Sequence, residues 1–443
     1  MTKKKVAVVS LGCAKNLVDT ENMLGLMCES GYEVTTDESQ AQILLVNTCG
    51  FIESAKEESI QAILNLAQHK KTTDAKLIVA GCLAQRYKDE IMEQMPEIDA
   101  IVGTGNIKEI VDVVEKTLKG QRVNTVKEPG FDLDNYIPRV ISIPGHSAYV
   151  KIAEGCNNRC AYCAIPSIRG KYRSKPMEII EEEVRELVNG GIVEIILVAQ
   201  DTTLYGIDLY GDYKLSELLN RLAKIEQLKW LRVMYCYPTH FMDDLIKTIA
   251  ETPKVCKYID LPLQHASDTV LCRMNRRGKV QQIKNLIAKI RANIPDVTLR
   301  TSFIVGFPGE TEEDFAQLLS FMEEIRFDRV GVFKYSLEED TPAYEMPNQV
   351  DEKTKEERYH RAMALQQKIS LNKNREKIGR IIEVLVEGEV PDEPGTYVGR
   401  SQGDAPEVDG IVYFKAGKKV EYGELVQIKI TDSAEYDLMG VLI

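Results

Sequence analysis

Three cysteines stand within eight residues, in the run Gly155-Cys156-Asn157-Asn158-Arg159-Cys160-Ala161-Tyr162-Cys163. No other feature constrains this chain as strongly. The spacing C-x3-C-x2-C lets three thiolates take three irons of a 4Fe–4S cube. The fourth iron is then open to a substrate or cofactor. A structural zinc ion would want a fourth Cys or His. Asn157, Asn158 and Arg159 supply none, His146 precedes the strand that feeds the loop, and His240 lies far downstream. Tyr162, just before the third cysteine, is apolar enough to shield a cluster edge.

The surrounding chain alternates strand and helix patterns. Strands are predicted at Ala148–Ala153, Glu194–Ala199, Leu231–Cys236, Tyr258–Leu261, Leu299–Val305 and Val330–Tyr335, with helices between them such as Met177–Asn189, Leu215–Ile225 and Glu312–Ile325. Six β/α units over 141–350 fit a parallel (β/α)6 part-barrel, whose site lies at the C-terminal strand ends, where the cysteine loop falls. Residues 1–120 carry a separate alternating series and predict an open parallel α/β domain. Its strands are Val6–Leu11, Ile43–Asn47, Leu77–Ala80 and Ala100–Gly103. Residues 121–140 show no period, contain the turn Pro129-Gly130-Phe131-Asp132, and read as a linker. Residues 351–380 hold nine basic and five acidic residues and read as a helical linker. From Ile381 to 443, short strands with Gly and Pro turns predict a small all-β barrel.

Three further cysteines share one setting: Leu11-Gly12-Cys13, Asn47-Thr48-Cys49-Gly50 and Ala80-Gly81-Cys82. Each follows a predicted parallel strand, and such strand ends converge on one edge where ligands bind. Each also has a glycine beside it, which would let a bulky group approach. One buried cysteine of this kind would need no explanation; three predict a second cluster site. Cys28, Cys236, Cys256 and Cys272 have no such context and read as core or surface thiols.

Composition narrows the setting. Hydrophobic residues at 44% and charged residues at 28% exclude a disordered chain. No run approaches about 18 apolar residues, so no membrane helix is expected. Val6–Leu11 is too short for a signal-peptide core. A cytoplasmic location is therefore expected, and cysteines there read as ligands or thiols rather than as a disulfide framework.

The three-cysteine loop after the first strand of a six-unit β/α series resembles the radical S-adenosylmethionine (SAM) superfamily. Preceded by a three-cysteine α/β domain and followed by a TRAM-like barrel, it resembles the methylthiotransferases over essentially the whole chain. The resemblance implies two 4Fe–4S clusters, one on Cys156, Cys160 and Cys163 and one on Cys13, Cys49 and Cys82. It implies that SAM chelates the open iron of the first cluster and yields a 5′-deoxyadenosyl radical. A second SAM would supply a methyl group to sulfur carried by the other cluster, so the two open irons should face a shared cavity.

Within that family the segments Ser10–Asp19, Ile165–Ser174 and Gly399–Glu407 resemble the branch that acts on the aspartate β-carbon of small-subunit ribosomal protein S twelve. Ala14 departs mildly from it, standing where that branch often has Pro. The sister branch modifies an adenosine in tRNA. Charge separates the two independently. The chain carries −12 overall, and residues 381–443 hold five basic and thirteen acidic residues, a net −8. A domain that grips tRNA should be basic; an acidic one suits a basic protein. The expected partners are thus ribosomal protein S twelve, an external electron donor and a sulfur donor, with no membrane and no tRNA substrate. SAM contacts are expected from Gln200 and Asp201, Gly306, and Arg273 in the run Arg273–Arg277. Two other classes stay open at this level: an iron–sulfur protein that never cleaves SAM, and a zinc-binding structural protein.

Overall fold

The computed structural model describes residues 3–130, 133–142 and 145–443. The first domain is a six-stranded sheet of β1 (Lys5–Ser10), β2 (Glu33–Val34), β3 (Ile43–Thr48), β4 (Lys76–Gly81), β5 (Ala100–Val102) and β6 (Val123–Asn124), paired in parallel in the order β2-β1-β3-β4-β5-β6. Strand β3 is an unbroken apolar-rich run buried along its whole length, as a strand covered on both faces must be. Helices α1 (Ala14–Glu29) and α4 (Ile110–Leu118) cover one face, with Met23, Leu24 and Val113 packed on Val6, Leu45 and Ile78. Helices α2 (Glu53–Thr72) and α3 (Cys82–Gln94) cover the other, with Ile63, Leu66 and Ile91 on Leu44, Val46 and Val79. The chain reverses direction across the sheet between β1 and β3, and in doubly wound folds ligands bind outside the strand ends at that point.

The predicted linker is packed rather than free. Its strand β6 extends the sheet, and Leu133 and Ile137 enter the core under α1. An aperiodic segment hid this because its burial comes from isolated residues. Of the predicted turn Pro129–Asp132, Phe131 and Asp132 lie outside the described residues.

The second domain starts with β7 (Ser147–Lys151). A two-stranded ribbon, β8 (Ala153–Glu154) with β9 (Arg173–Ser174), then closes the base of the cysteine loop. Strands β10 (Glu194–Val198), β11 (Trp230–Val233), β12 (Tyr258–Asp260), β13 (Thr298–Val305) and β14 (Arg329–Lys334) follow. They form two parallel three-stranded sheets, β7-β10-β11 and β12-β13-β14. The Leu231–Val255 bridge joins β11 to the segment before β12, completing a six-stranded open part-barrel. Helix Glu352–Arg375 is likewise not a spacer. Asp351 caps it by accepting from the Thr354 amide, and Ala362 and Ile369 are buried in the part-barrel core.

The last 63 residues close a barrel of β15 (Ile381–Glu389), β16 (Thr396–Ser401), β17 (Val412–Lys415), β18 (Leu425–Ser433) and β19 (Leu438–Leu442), ordered β15-β16-β17-β19-β18. The segment Gly399–Glu407 docks it. Arg400 donates to Glu194 on β10 at 2.6 Å, Arg329 on β14 donates to Asp404 at 2.6 Å, and Arg232 on β11 donates to the Gln402 carbonyl at 2.7 Å. This motif therefore attaches the small barrel to the part-barrel. Among the described residues no helix is long and apolar enough to cross a membrane.

Candidate active site

The first cysteine triad is built by three adjacent strands. Ser10 of β1 pairs with Asn47 of β3, and Thr48 of β3 with Gly81 of β4. Cys13, Cys49 and Cys82 therefore leave neighbouring strand ends one to three residues past matched positions. Asn16 ties these ends together. Its Nδ2 donates to the carbonyls of Leu11 and Thr48, each at 2.9 Å, and its Oδ1 lies 3.7 Å from the Cys82 thiol. The flanking glycines answer to backbone crowding rather than to room for a ligand. A Cβ on Gly12 would lie 2.9 Å from Cys49 Cβ, and one on Gly50 would lie 2.8 Å from Leu83 Cα. Gly81 has φ +95°, and its Cβ would fall 2.3 Å from Asn47 Oδ1.

The three thiols differ electrostatically. Burial pushes Cys82 up to about 11, against the pull of Arg169. Burial also raises Cys49. At Cys13 burial acts in the same direction, but the charges of Lys15 and Arg169 and the amides of Asn16 and Lys15 outweigh it and lower the thiol. Cys13 also caps the N-terminus of α1, where a thiolate is favoured.

The second triad hangs on the loop that ribbon β8–β9 closes. Gly155 turns the chain at φ +79°, where a Cβ would meet the Lys171 carbonyl at 2.2 Å. The loop is pinned from several sides. Cys156 donates its amide to Gly170, Asn158 donates to Asp201 at 3.1 Å, Asn275 donates to the Arg159 carbonyl at 2.6 Å, and Ala161 donates to Met274. Burial pushes Cys156 up to about 11 and Cys163 up to about 12. These thiols stay neutral until an electropositive group draws off their protons, as metal binding does.

One cysteine of the first triad touches the segment that follows the second. Cys82 packs on Ala164 and Ile168, immediately after Cys163, in one small buried cluster. Arg169, from the short helix α5 (Ile165–Arg169), reaches across to four groups. It donates to Asp19 at 2.6 Å, to Glu154 at 3.0 Å, to Asn16 at 2.7 Å and to the Cys82 sulfur at 3.5 Å. Lys151 pairs with the same two carboxylates, Asp19 and Glu154. Arg139 joins Glu21 of α1 to Glu183 nearby. Burial opposes ionisation of Glu154, but Arg169 and Lys151 hold its carboxyl far below the ordinary range.

Sequence reasoning singled out neither Glu154 nor Arg169. Their adjacency to the cysteine loop was the available signal. Of the other expected residues, Gln200 lies at the junction. Its Nε2 donates to Glu154 at 2.6 Å, and its buried Oε1 has no partner. Asp201 is fully buried and committed to Asn158, Thr203, the Leu204 amide and His240. It positions the loop. Gly306 is set by its neighbours: φ is +74° and a Cβ would strike Lys355. Arg273 is exposed and bonds the Gly309 carbonyl. Arg276 is the member of that basic run that faces the cysteines, 3.9 Å from the Cys160 sulfur and 4.2 Å over the Tyr237 ring.

The residues fit two iron–sulfur cubes. Each triad offers three sulfur donors and no fourth Cys or His. Among the described residues no three His, Cys, Asp or Glu side chains are arranged to hold one metal ion. Three thiolates that each take a separate iron of a cube need not converge on one point. The orphaned Gln200 Oε1 fits a ligand that brings a donor.

A parallel part-barrel with this loop at its mouth defines a radical SAM enzyme, here with a second three-cysteine site against it. Residues 150–322 match the radical SAM superfamily, residues 5–103 the uncharacterized protein family UPF0004, and residues 378–443 the TRAM domain. A protein of Desulforamulus reducens called ribosomal protein uS12 methylthiotransferase RimO is 56% identical over 439 residues, 99% of each chain. One of the same name from Geobacter sulfurreducens is 51% identical over 443 residues, covering 100% of this chain and 99% of its own. Among solved structures, the radical SAM methyltransferase TsrM from Kitasatospora setae, with cobalamin and a [4Fe–4S] cluster bound, shares the fold at 14% identity. Its TM-score is 0.60, and the match covers 90% of this chain and 77% of that one. The chain belongs to the RimO family of radical SAM methylthiotransferases. That family uses SAM and two 4Fe–4S clusters.

Proposed function

We propose that the chain inserts a methylthio group at the aspartate β-carbon of ribosomal protein uS12, with one cluster held by Cys156, Cys160 and Cys163 and the other by Cys13, Cys49 and Cys82. The observation that carries this reading is the contact of Cys82 with Ala164 and Ile168, which sets the two triads against one interface. When bound, the clusters and SAM supply reductive cleavage to a 5′-deoxyadenosyl radical and a site for the sulfur to be methylated and transferred.

The protein's own residues fix the geometry and exclude water. Arg169, Lys151, Asp19 and Glu154 lock the cysteine loop against α1. Arg276 places positive charge beside Cys160, and Asp201 holds the loop through Asn158. Gln200 Oε1 is available to a donor on SAM.

The basic substrate protein matches the acidic last domain. Its one arginine is sequestered against Glu194, so only Lys415, Lys418, Lys419 and Lys429 offer exposed positive charge there. A tRNA substrate is disfavoured on that ground. An external reductant and a sulfur donor complete the reaction, which we place in the cytoplasm.

Cys156→Ala should bind about half the iron and form no 5′-deoxyadenosine. Cys82→Ala should also lose about half, yet still cleave SAM. Mass mapping of uS12 and of tRNA after anaerobic incubation with the reconstituted enzyme decides the substrate. Added methylthio mass on tRNA alone would overturn this reading.

A further inference from the structure

Lys15 lies two residues after Cys13, in the first turn of α1, and is 8% exposed. Among the described residues its ammonium makes no hydrogen bond and no ion pair. It sits 3.5 Å over the ring of Tyr235. Every other buried cation of this junction is matched: Lys151 and Arg169 share Asp19 and Glu154, and Arg139 holds Glu21 and Glu183. No carboxylate lies within ion-pair distance of Lys15; Glu154 and the Cys13 thiol act on its charge only from farther off. A buried charge without a direct partner is unfavourable, and an aromatic face offsets only part of that.

Tyr235 is itself held in an unfavourable backbone. Its φ is +61°, rare for a bulky side chain. The conformation is pinned from both sides: its amide donates to Asp260 at 3.0 Å, and its carbonyl accepts from the Thr202 amide at 3.1 Å. Tyr235 follows the end of β11 and Lys15 the end of β1, so the ion–ring pair stands where the mouths of the two domains face each other. Ala14 and Tyr235 pack in the same cluster.

We infer that Lys15 is a carboxylate receptor, and that the carboxylate it receives is the side chain to be modified. This rests on the reading given under Proposed function. A carboxylate anchored on Nζ presents its adjacent methylene beside Cys13, within the junction of the triads. SAM carries the same chemical group on its methionyl end, and the test separates the two sources.

The measurement is initial rate against concentration of uS12 and of a uS12 whose target Asp is changed to Asn, with the reconstituted holoenzyme. The unaltered enzyme should prefer Asp by at least about 30-fold in kcat/KM, the range for removing one partner of a buried charge pair. Lys15→Met should lose that preference, modifying both targets at the same low rate, with iron and sulfide content retained. Lys15→Arg should keep the preference for Asp. An intact preference in Lys15→Met overturns the inference. A raised KM for SAM in 5′-deoxyadenosine formation without target would place the ammonium on SAM instead. Loss of half the iron would make Lys15 a support for Cys13. If the unaltered enzyme modifies neither uS12, the underlying reading fails, which is a separate outcome.

Discussion

Arg169 bonds four acceptors with one guanidinium, and they come from both cysteine-bearing domains. Removing it leaves Asp19 and Glu154, both buried, with Lys151 as the one cation paired to both. Breaking a buried pair in this way destabilises by about 3–5 kcal/mol. Arg169→Met should therefore lower the urea stability of the apoprotein by that amount, and a loss under about 1 kcal/mol would show that the carboxylates relax independently. The cysteines themselves were legible, because thiols at strand ends stand out in a sequence. Arg169 was not, since an arginine two turns past a cysteine is usually a solvated side chain. Arg273 and Arg276 are equally indistinct in the sequence. Which of them faces Cys160 depends on the helix Asp268–Arg273 ending before the second arginine.

Strand-to-helix corners decide whether each triad can form. At the β4–α3 corner, Gly81 combines φ +95° with a Cβ position 2.3 Å from Asn47 Oδ1. Gly81→Ala should lose the first-domain cluster, about half the iron, while reductive SAM cleavage continues. At the β8 corner, Gly155→Ala should do the reverse and abolish SAM cleavage, since its Cβ would meet the Lys171 carbonyl. Iron analysis paired with a 5′-deoxyadenosine assay reads both, and equal effects on the two activities would refute the division. The elements were largely legible: Met177–Asn189 and Glu312–Ile325 form as their apolar periodicity predicts. The edge strands Glu33–Val34 and Val123–Asn124 were not, because two residues are too short to show a period and are fixed only by pairing.

Across the whole molecule, the small barrel is joined to the part-barrel through Glu194, which takes Arg400 at 2.6 Å and Arg232 at 2.8 Å. Burial opposes its ionisation, but the two arginines hold its carboxyl down at about 2, against 4.5 ordinarily. A depressed carboxyl stabilises above its unfolded value and loses that contribution as pH falls toward its folded one. About 3 kcal/mol should therefore drain away between pH 4.5 and 2. Urea unfolding across that window should show a pH slope that Glu194→Gln lacks; parallel slopes would mean another group governs acid stability. The sequence alone indicated two sets of three cysteines in matching settings, and it determined the two alternating α/β series and the acidic terminal barrel, since each is written in local spacing, periodicity or charge. Only the tertiary structure decided that Cys82 packs on the residues that follow Cys163, that the apparent linkers are packed, that Gly399–Glu407 is a docking segment and that Lys15 makes no direct ion pair. Those facts depend on which side chains, distant in the chain, compete for the same buried partners, and no local pattern records that competition.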